Sequence, residues 1–295
     1  MKIALCIKQV VDISMPAALS PSGRGLVEDN LCYIENPTDE CALEEALRIK
    51  DKRPDTEIIL LSVGPQRVEQ ALRHCLALGA DRAIRIWDTG LADIDSLACA
   101  RILAKAITSL KVDLIFCGSR SLDLSEGQVP GMLAEFLSLP LITAVTRLEL
   151  SADASSARLQ RRLARGDREI VECSLPALFA FEPMINQPRY PALRRIQWAR
   201  NCPISCLGLN NLDNGNEKLY IDSLTRLVKL APPRPRPRRS PILDVLTLDV
   251  KLSGEERLKL VLSGGMAEKN GELWQGTPQG LADRLVDFLK AQGYL

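Results

Sequence analysis

Apolar and polar positions along the first half of the chain switch repeatedly between a strand period and a helix period. Lys2 to Lys8 carries Ile3, Leu5 and Ile7 and predicts a strand buried on at least one face. The breaker Asn36-Pro37-Thr38 predicts a helix start with Thr38 as cap. In that helix Leu43, Ala46 and Leu47 share a face, while Glu44 and Arg48 pair at i,i+4 on the wet side. Ile58 to Val63 is a near-continuous apolar run ending at Gly64-Pro65, the pattern of a parallel strand covered on both faces. Val68, Ala71, Leu72, Cys75 and Leu76 then recur at helical spacing until Gly79 stops them. Ala83 to Trp87 predicts a strand, Ser96 to Ser109 a helix, and Asp113 to Cys117 a further strand. Strands alternating with amphipathic helices imply an α/β fold: an open, mostly parallel, doubly wound sheet with right-handed crossovers.

From Leu141 the pattern changes. Val145 to Leu150, Ala157 to Leu163 and Glu169 to Cys173 are short alternating segments joined by polar turns, which predicts antiparallel strands added to the sheet, and Leu178 to Phe181 predicts a last buried strand. A polar loop follows at Asn210 to Asn216, and Pro232 to Arg239 is a stiff, extended basic segment. Ser253 to Leu262 and Thr277 to Gln292 read as helices, the second capped by Thr277 with Leu281, Leu285, Phe288 and Leu289 on one stripe. The expected division is an α/β body over residues 1–230 and a Pro/Arg-rich linker with a helical C-terminal arm over 231–295.

Composition narrows the function. With 46% hydrophobic and 25% charged residues the chain can bury a sizeable core, which excludes global disorder. A net charge of +1 provides no long-range pull on phosphate backbones or anionic lipid, and the basic proline segment has no interleaved aromatics, so neither a nucleic-acid partner nor membrane insertion is expected. Nine scattered cysteines read as small buried hydrophobes of a reducing compartment. The N-terminus lacks the regions of a signal peptide, no apolar run nears the roughly 20 residues that span a bilayer, and the expected location is the cytoplasm. His74 is the single histidine; it reads as a half-exposed helix residue, and no spacing of ligand types predicts a metal site.

In open α/β sheets ligands sit beyond the carboxyl ends of the strands at the point where strand order reverses. The segments placed there are Gln9 onward, Asn36 to Asp39, Gly64-Pro65, and Gly118-Ser119-Arg120-Ser121-Leu122-Asp123-Leu124-Ser125-Glu126-Gly127-Gln128-Val129-Pro130-Gly131. The last carries three glycines out of a strand into the helix Met132 to Leu137, which suits phosphate binding by backbone N–H groups at a helix start. The dinucleotide and phosphate-loop fingerprints are both missing, and no carboxylate pair or Cys/His couple predicts catalysis by side chains. Any chemistry is expected to belong to a cofactor.

Taken together, Lys2 to Asp12, the Asn36-Pro37 step into Glu44-Glu45-Ala46, Ala77 to Arg82, the Gly118 to Gly131 loop and Asn186-Gln187-Pro188-Arg189-Tyr190 resemble the β subunit of electron transfer flavoprotein over about residues 1–200. The resemblance implies an adenine nucleotide α-hydrolase-like fold and an electron carrier without catalytic residues. It implies a heterodimer with an α subunit that holds most of the redox FAD, and an AMP in the β subunit. Carried over by position, the nucleotide contacts fall on Cys6, Asn36, Pro37, Thr38, Asp39, Val63 and Gly118 to Val129. The implied donor is an acyl-CoA dehydrogenase-type flavoenzyme docking at Arg189, Tyr190, Leu193, Arg194 and Arg195, with Leu193 as the apolar anchor. The implied acceptor is a membrane-associated quinone reductase. The step Gly127-Gln128-Val129 is closer to β subunits of the electron-bifurcating, NADH-linked branch, in which a second FAD replaces AMP. A free-standing nucleotide-binding regulatory protein is the alternative from another class.

Overall fold

The computed structural model describes residues 1–212 apart from 16, 24, 29, 30 and 184, then 223–228 and 230, and towards the C-terminus 253, 255, 274 and 276–291. The chain divides into two compact units, Met1–Ala231 and Pro232–Leu295.

The strands of the first unit are β1 (Lys2–Cys6), β2 (Gln9–Val11), β3 (Tyr33–Glu35), β4 (Glu57–Val63), β5 (Arg82–Ile86), β6 (Leu114–Gly118), β7 (Leu141–Leu150), β8 (Ser156–Arg162), β9 (Arg168–Ser174), β10 (Ala177–Phe181) and β11 (Ser205–Leu207). Its helices are α1 (Pro37–Lys52), α2 (Glu69–Leu78), α3 (Ser96–Leu110), α4 (Val129–Leu137), α5 (Leu193–Asn201) and α6 (Leu209–Leu212). Among the described residues nine strands form one sheet in the order β11-β5-β4-β1-β6-β10-β7-β8-β9, and β2 with β3 forms a separate antiparallel pair. Neighbours from β11 to β7 are parallel, and β7-β8 and β8-β9 are antiparallel.

The apolar runs form the middle of the sheet because both faces are covered. On one face Ile3, Leu5, Ile58, Leu60 and Phe116 pack with Leu43, Leu47, Leu72 and Leu76 of α1 and α2. On the other, Ala4, Ile59, Leu61 and Ile115 pack with Ile102, Leu103 and Ile107 of α3 and with Leu133 of α4. Phe116 and Phe181 meet edge to face at 4.8 Å, joining β6 to β10 on the first face. Gly79 ends α2 with φ +140°, where a side chain would strain the backbone and crowd Leu47.

Several details differ from the pattern. The hydroxyl of Thr38 does not cap α1; Asn36 is the N-cap residue, without a side-chain cap bond. Glu44 does bond Arg48, at 3.3 Å, but it is buried, because Arg189 covers it from outside. The strand Leu178 to Phe181 lies inside the sheet, between β6 and β7. At Thr143 and Ala144 two residues of β7 oppose one of β10, with Ala144 at φ +56°, and beyond this bulge β7 pairs with β8 alone. Residues 210–212 of the expected polar loop belong to the helix α6; 213–216 lie outside the described residues. So do the basic segment 232–239 and all but 253 and 255 of the helix expected over 253–262.

In the second unit the helix expected from Thr277 is present as α7 (Pro278–Ala291). The Thr277 hydroxyl accepts from the Gly280 N–H at 3.4 Å, and Trp274 stacks edge to face on Phe288 at 5.7 Å. No helix among the described residues is long and apolar enough to cross a membrane.

Glu44 is the buried carboxylate that fastens the segment after β10 onto α1, through Arg189 Nε at 2.9 Å and Nη2 at 3.1 Å. Glu44→Ala is expected to lower stability by roughly 1.5–3 kcal/mol and to speed protease cleavage near Gln187; urea unfolding and limited proteolysis check both.

Candidate functional site

The chain runs from β1 outward through β4 to β5 and then returns to place β6 on the other side of β1. Strand order therefore reverses between β1 and β6, and a crevice opens beyond Cys6 and Gly118. The N-terminus of α1 fills its base. Pro37 suits the first helical position, where its missing N–H costs nothing, and it brings Thr38 and Asp39 under the strand ends.

Asp39 is 5% exposed and joins the two strands. One of its oxygens accepts the Lys8 N–H at 2.8 Å and the other the Gly118 N–H at 2.9 Å. Burial pushes its carboxyl up to about 7, opposed by the N–H bonds from Lys8 and Gly118 and by Asn36. The Asn36 amide donates to Thr38 Oγ1 at 2.7 Å and to the Arg120 carbonyl at 3.1 Å, and its oxygen accepts the Leu122 N–H at 3.0 Å. Thr38 in turn donates to the Arg120 carbonyl at 2.6 Å. Asn36, Thr38 and Asp39 thus hold the loop from beneath. Gly118 is obligatory, since a Cβ there would overlap Thr38 Oγ1 and Asp39 Oδ1.

Above this base, Lys8 Nζ binds Asp123 at 2.8 Å and Ser121 Oγ at 3.4 Å. Burial raises the Asp123 carboxyl, but the bonds from Lys8 and Ser121 outweigh it and hold the group below its ordinary value. At the far end Glu126 accepts from Ser96 Oγ at 2.8 Å, at the start of α3. Between these ties Ser125 and Gly127 take φ of +54° and +63°, and a Cβ on Gly127 would stand 3.0 Å from the Ser119 carbonyl. Leu124, Glu126, Gly127 and Gln128 are exposed.

Three features of this crevice suit an anionic, hydrogen-bonding ligand such as a nucleotide. The Ser119 hydroxyl is buried without a partner. No side chain caps α4, and because Pro130 has no N–H, the N–H groups its start can offer are those of Val129 and Gly131. Arg120 is exposed and makes no ion pair among the described residues. The strand ends add apolar lining in Val63 and Cys6, both partly exposed. A hydrogen bond with Cys6 together with burial raises the Cys117 thiol well above its ordinary value, and burial pushes Cys99 up to about 12. These thiols stay protonated and inert.

The residues expected to dock a donor separate into two groups. Arg189 is bound by Glu44 and, at 2.7 Å, by Asp51, which it holds below the usual carboxylate range. Arg195 donates to the Leu76 and Ala80 carbonyls past the end of α2 and stacks on Trp198. Tyr190, Leu193 and Arg194 face solvent, Tyr190 at 93% and Leu193 at 69% exposure. The sequence does not mark Lys8, Ser96, Glu45 or Asp51 as anchors, because the contacts in which they act as such, to Asp123, Glu126, Asn186 and Arg189, form only through tertiary packing. Asn186 gave a partial signal, and its amide binds the Cys41 carbonyl at 2.8 Å and Glu45 at 2.9 Å.

Residues 25–207 match the Electron transfer flavoprotein domain family. The chain is 33% identical over 232 residues to an electron transfer flavoprotein subunit beta of Methylophilus methylotrophus, covering 78% of this chain and 88% of that protein. It is 37% identical over 201 residues to the subunit of the same name from Thermoanaerobacterium thermosaccharolyticum, covering 68% and 75%. It is also 34% identical over 206 residues to the caffeyl-CoA reductase-Etf complex subunit CarD of Acetobacterium woodii, covering 70% and 77%.

The clamp makes a signed prediction. Asp39→Asn leaves one of the two strand-end N–H groups facing an amide NH2, so it is expected to destabilise the fold. Because the folded carboxyl titrates at about 7 against an ordinary 3.8, the wild-type group contributes stability that is present at low pH and is lost as pH rises through that window. The stability gap between wild type and variant therefore narrows from about pH 5 to about pH 8. Urea unfolding at both pH values checks it, and a widening gap would refute the assignment. Gly118→Ala is expected to release the loop, seen as faster amide exchange at Leu122.

Proposed function

Since the chain belongs to the electron transfer flavoprotein family, as an electron carrier of the β-subunit type, we propose that it holds an adenine nucleotide at the β1/β6 switch point and works paired with an α subunit. The carrying observation is the loop Gly118 to Val129, pinned from below by Asn36, Thr38 and Asp39, with the Ser119 hydroxyl left without a partner. In this reading the nucleotide is AMP, and the loop with the start of α4 receives its phosphate. Asp39 and Asn36 keep the loop in shape, and Lys8 neutralises Asp123 so that no free carboxylate opposes the phosphate there. The FAD, held mainly by the α subunit, supplies the electron-accepting chemistry.

The donor is an acyl-CoA dehydrogenase-type flavoenzyme docking on the exposed Tyr190, Leu193 and Arg194, where charge steers and one apolar side chain anchors. Arg189 and Arg195 support this surface from behind, through α1 and α2. The acceptor is a membrane-associated quinone reductase. The C-terminal part beyond residue 231 serves as an arm on the α subunit. One observation favours a second reading: the Gly127-Gln128-Val129 step, together with the similarity to a subunit of a reductase-Etf complex, supports a bifurcating assembly with a second FAD in place of AMP.

Co-purification with the α subunit, denaturation and counting of released cofactors separates the readings. One FAD and one AMP are expected; two FAD without AMP selects the bifurcating assembly. Leu193→Ala is expected to slow electron transfer from the dehydrogenase on the order of tenfold with flavin content unchanged, and unaltered rates would remove Leu193 as anchor.

A further inference from the structure

The single histidine lies in a cluster that the nucleotide site does not use. Glu35 at the end of β3, Glu40 in the first turn of α1 and His74 in α2 each present one ligand atom, and the three atoms lie within 4.8 Å of one another. His74 Nε2 stands 3.8 Å from Glu40 Oε1, too far for a hydrogen bond. All three residues are half-buried. Glu35 has no hydrogen bond or ion pair from a side chain among the described residues, and the His74 imidazole is the one basic side chain beside Glu40.

That arrangement is unusual within this molecule. Glu44 has Arg189 and Arg48, Glu69 has Arg85 and Arg73, and Glu182 has Arg162. The arginines nearest in sequence to the cluster are committed elsewhere. Arg67 lies over the Tyr33 ring and binds Gln9, and Arg73 binds the Ala199, Arg200 and Cys202 carbonyls. Two carboxylates are therefore brought together with no Lys or Arg paired to either among the described residues. The Cys75 thiol is buried and is not among the ligand atoms that lie within 4.8 Å of one another. A bound cation removes the repulsion without rebuilding the backbone: ligand atoms on bonds of about 2.1 Å stand roughly 3.4 Å apart, a small closure from their present spacing.

We propose that Glu35, Glu40 and His74 bind one divalent first-row transition-metal ion through two carboxylate oxygens and one imidazole nitrogen, with water completing its coordination. Oxygen-rich ligation with one imidazole and no thiolate suits ions of the Mn²⁺, Co²⁺ and Zn²⁺ class. The ion acts structurally. It ties β3 and α2 to the turn of α1 that also carries Asp39, and so braces the base of the nucleotide crevice without entering it. The inference stands independently of the function proposed above.

The test uses the full-length chain, reduced and stripped with chelator. Mn²⁺ is titrated and the free ion followed by electron paramagnetic resonance; one saturable site per chain is expected. Glu40→Gln and His74→Ala should each weaken binding on the order of tenfold or more, and Mn²⁺ should raise the melting temperature of wild type but not of either variant. Co²⁺ should give ligand-field bands without thiolate charge transfer. Circular dichroism checks folding, and Glu35→Gln, which keeps the β2–β3 backbone ladder, replaces any variant that unfolds. Absence of saturable binding at millimolar Mn²⁺ and Co²⁺, binding unchanged by the substitutions, or a thiolate band from Co²⁺ would each overturn the proposal.

Discussion

Strands β1 and β6 lie side by side at the centre of the sheet, and beyond Cys6 and Gly118 the chain leaves in two directions. A single carboxylate spans the divergence, with one oxygen of Asp39 on the Lys8 N–H and the other on the Gly118 N–H. Both N–H groups lie beyond the β1–β6 pairing, and the bond to Gly118 is buried, where an N–H without a partner is costly. An apolar residue of equal size would leave both unsatisfied, and an amide could satisfy only one. The third helical position of α1 suits this charge, because the first turn of a helix favours an anion. The shape of the Gly118–Val129 loop, the need for glycine at 118 and the placement of Asn36 and Thr38 follow from that bridge.

The same economy governs the segment after β10. Asn186 and Arg189 face inward onto Glu44, Glu45 and the Cys41 carbonyl, which leaves Tyr190 and Leu193 raised on a fixed base. Buried ion pairs of this kind contribute little net stability compared with apolar packing, but breaking one side is costly. Their effect is to fix position: α1 carries both the clamp under the crevice and the carboxylates under the exposed leucine. One helix thus sets the distance between the candidate cofactor site and the candidate docking surface.

The central strands and the helices α1 to α4 were legible in the sequence because burial on both faces leaves continuous apolar runs, and burial on one face leaves a helical stripe. The short strands β2, β3 and β11 were not, since three residues carry no readable period. Helix α5 was also missed, because its Arg-rich sequence buries Ala199 and little else fully. In the site, the loop and the Asn36-Pro37 step were readable from glycine and proline usage. The roles of Thr38 and Asp39 were not, because a residue that could cap its own helix looks the same as one that grips a loop more than eighty positions away. Glu35, Glu40 and His74 show no ligand spacing at all; the fold alone brings them together.

Strand β10 enters the sheet between β6 and β7, although β7, β8 and β9 precede it in the chain. Its last carbonyl, on Phe181, accepts the Ser119 N–H at 2.8 Å and so fixes the start of the loop. During synthesis, a chain that has emerged as far as Ser174 already contains the clamp and the whole loop, yet the outer edge of β6 is still open and Ser119 is still unanchored. Closing that edge requires a contact across the entire β7–β9 excursion, from Ser119 to Phe181. The crevice therefore depends on residues that follow its loop by a whole three-strand excursion: the start of the loop is fixed only where β10 is paired with β6.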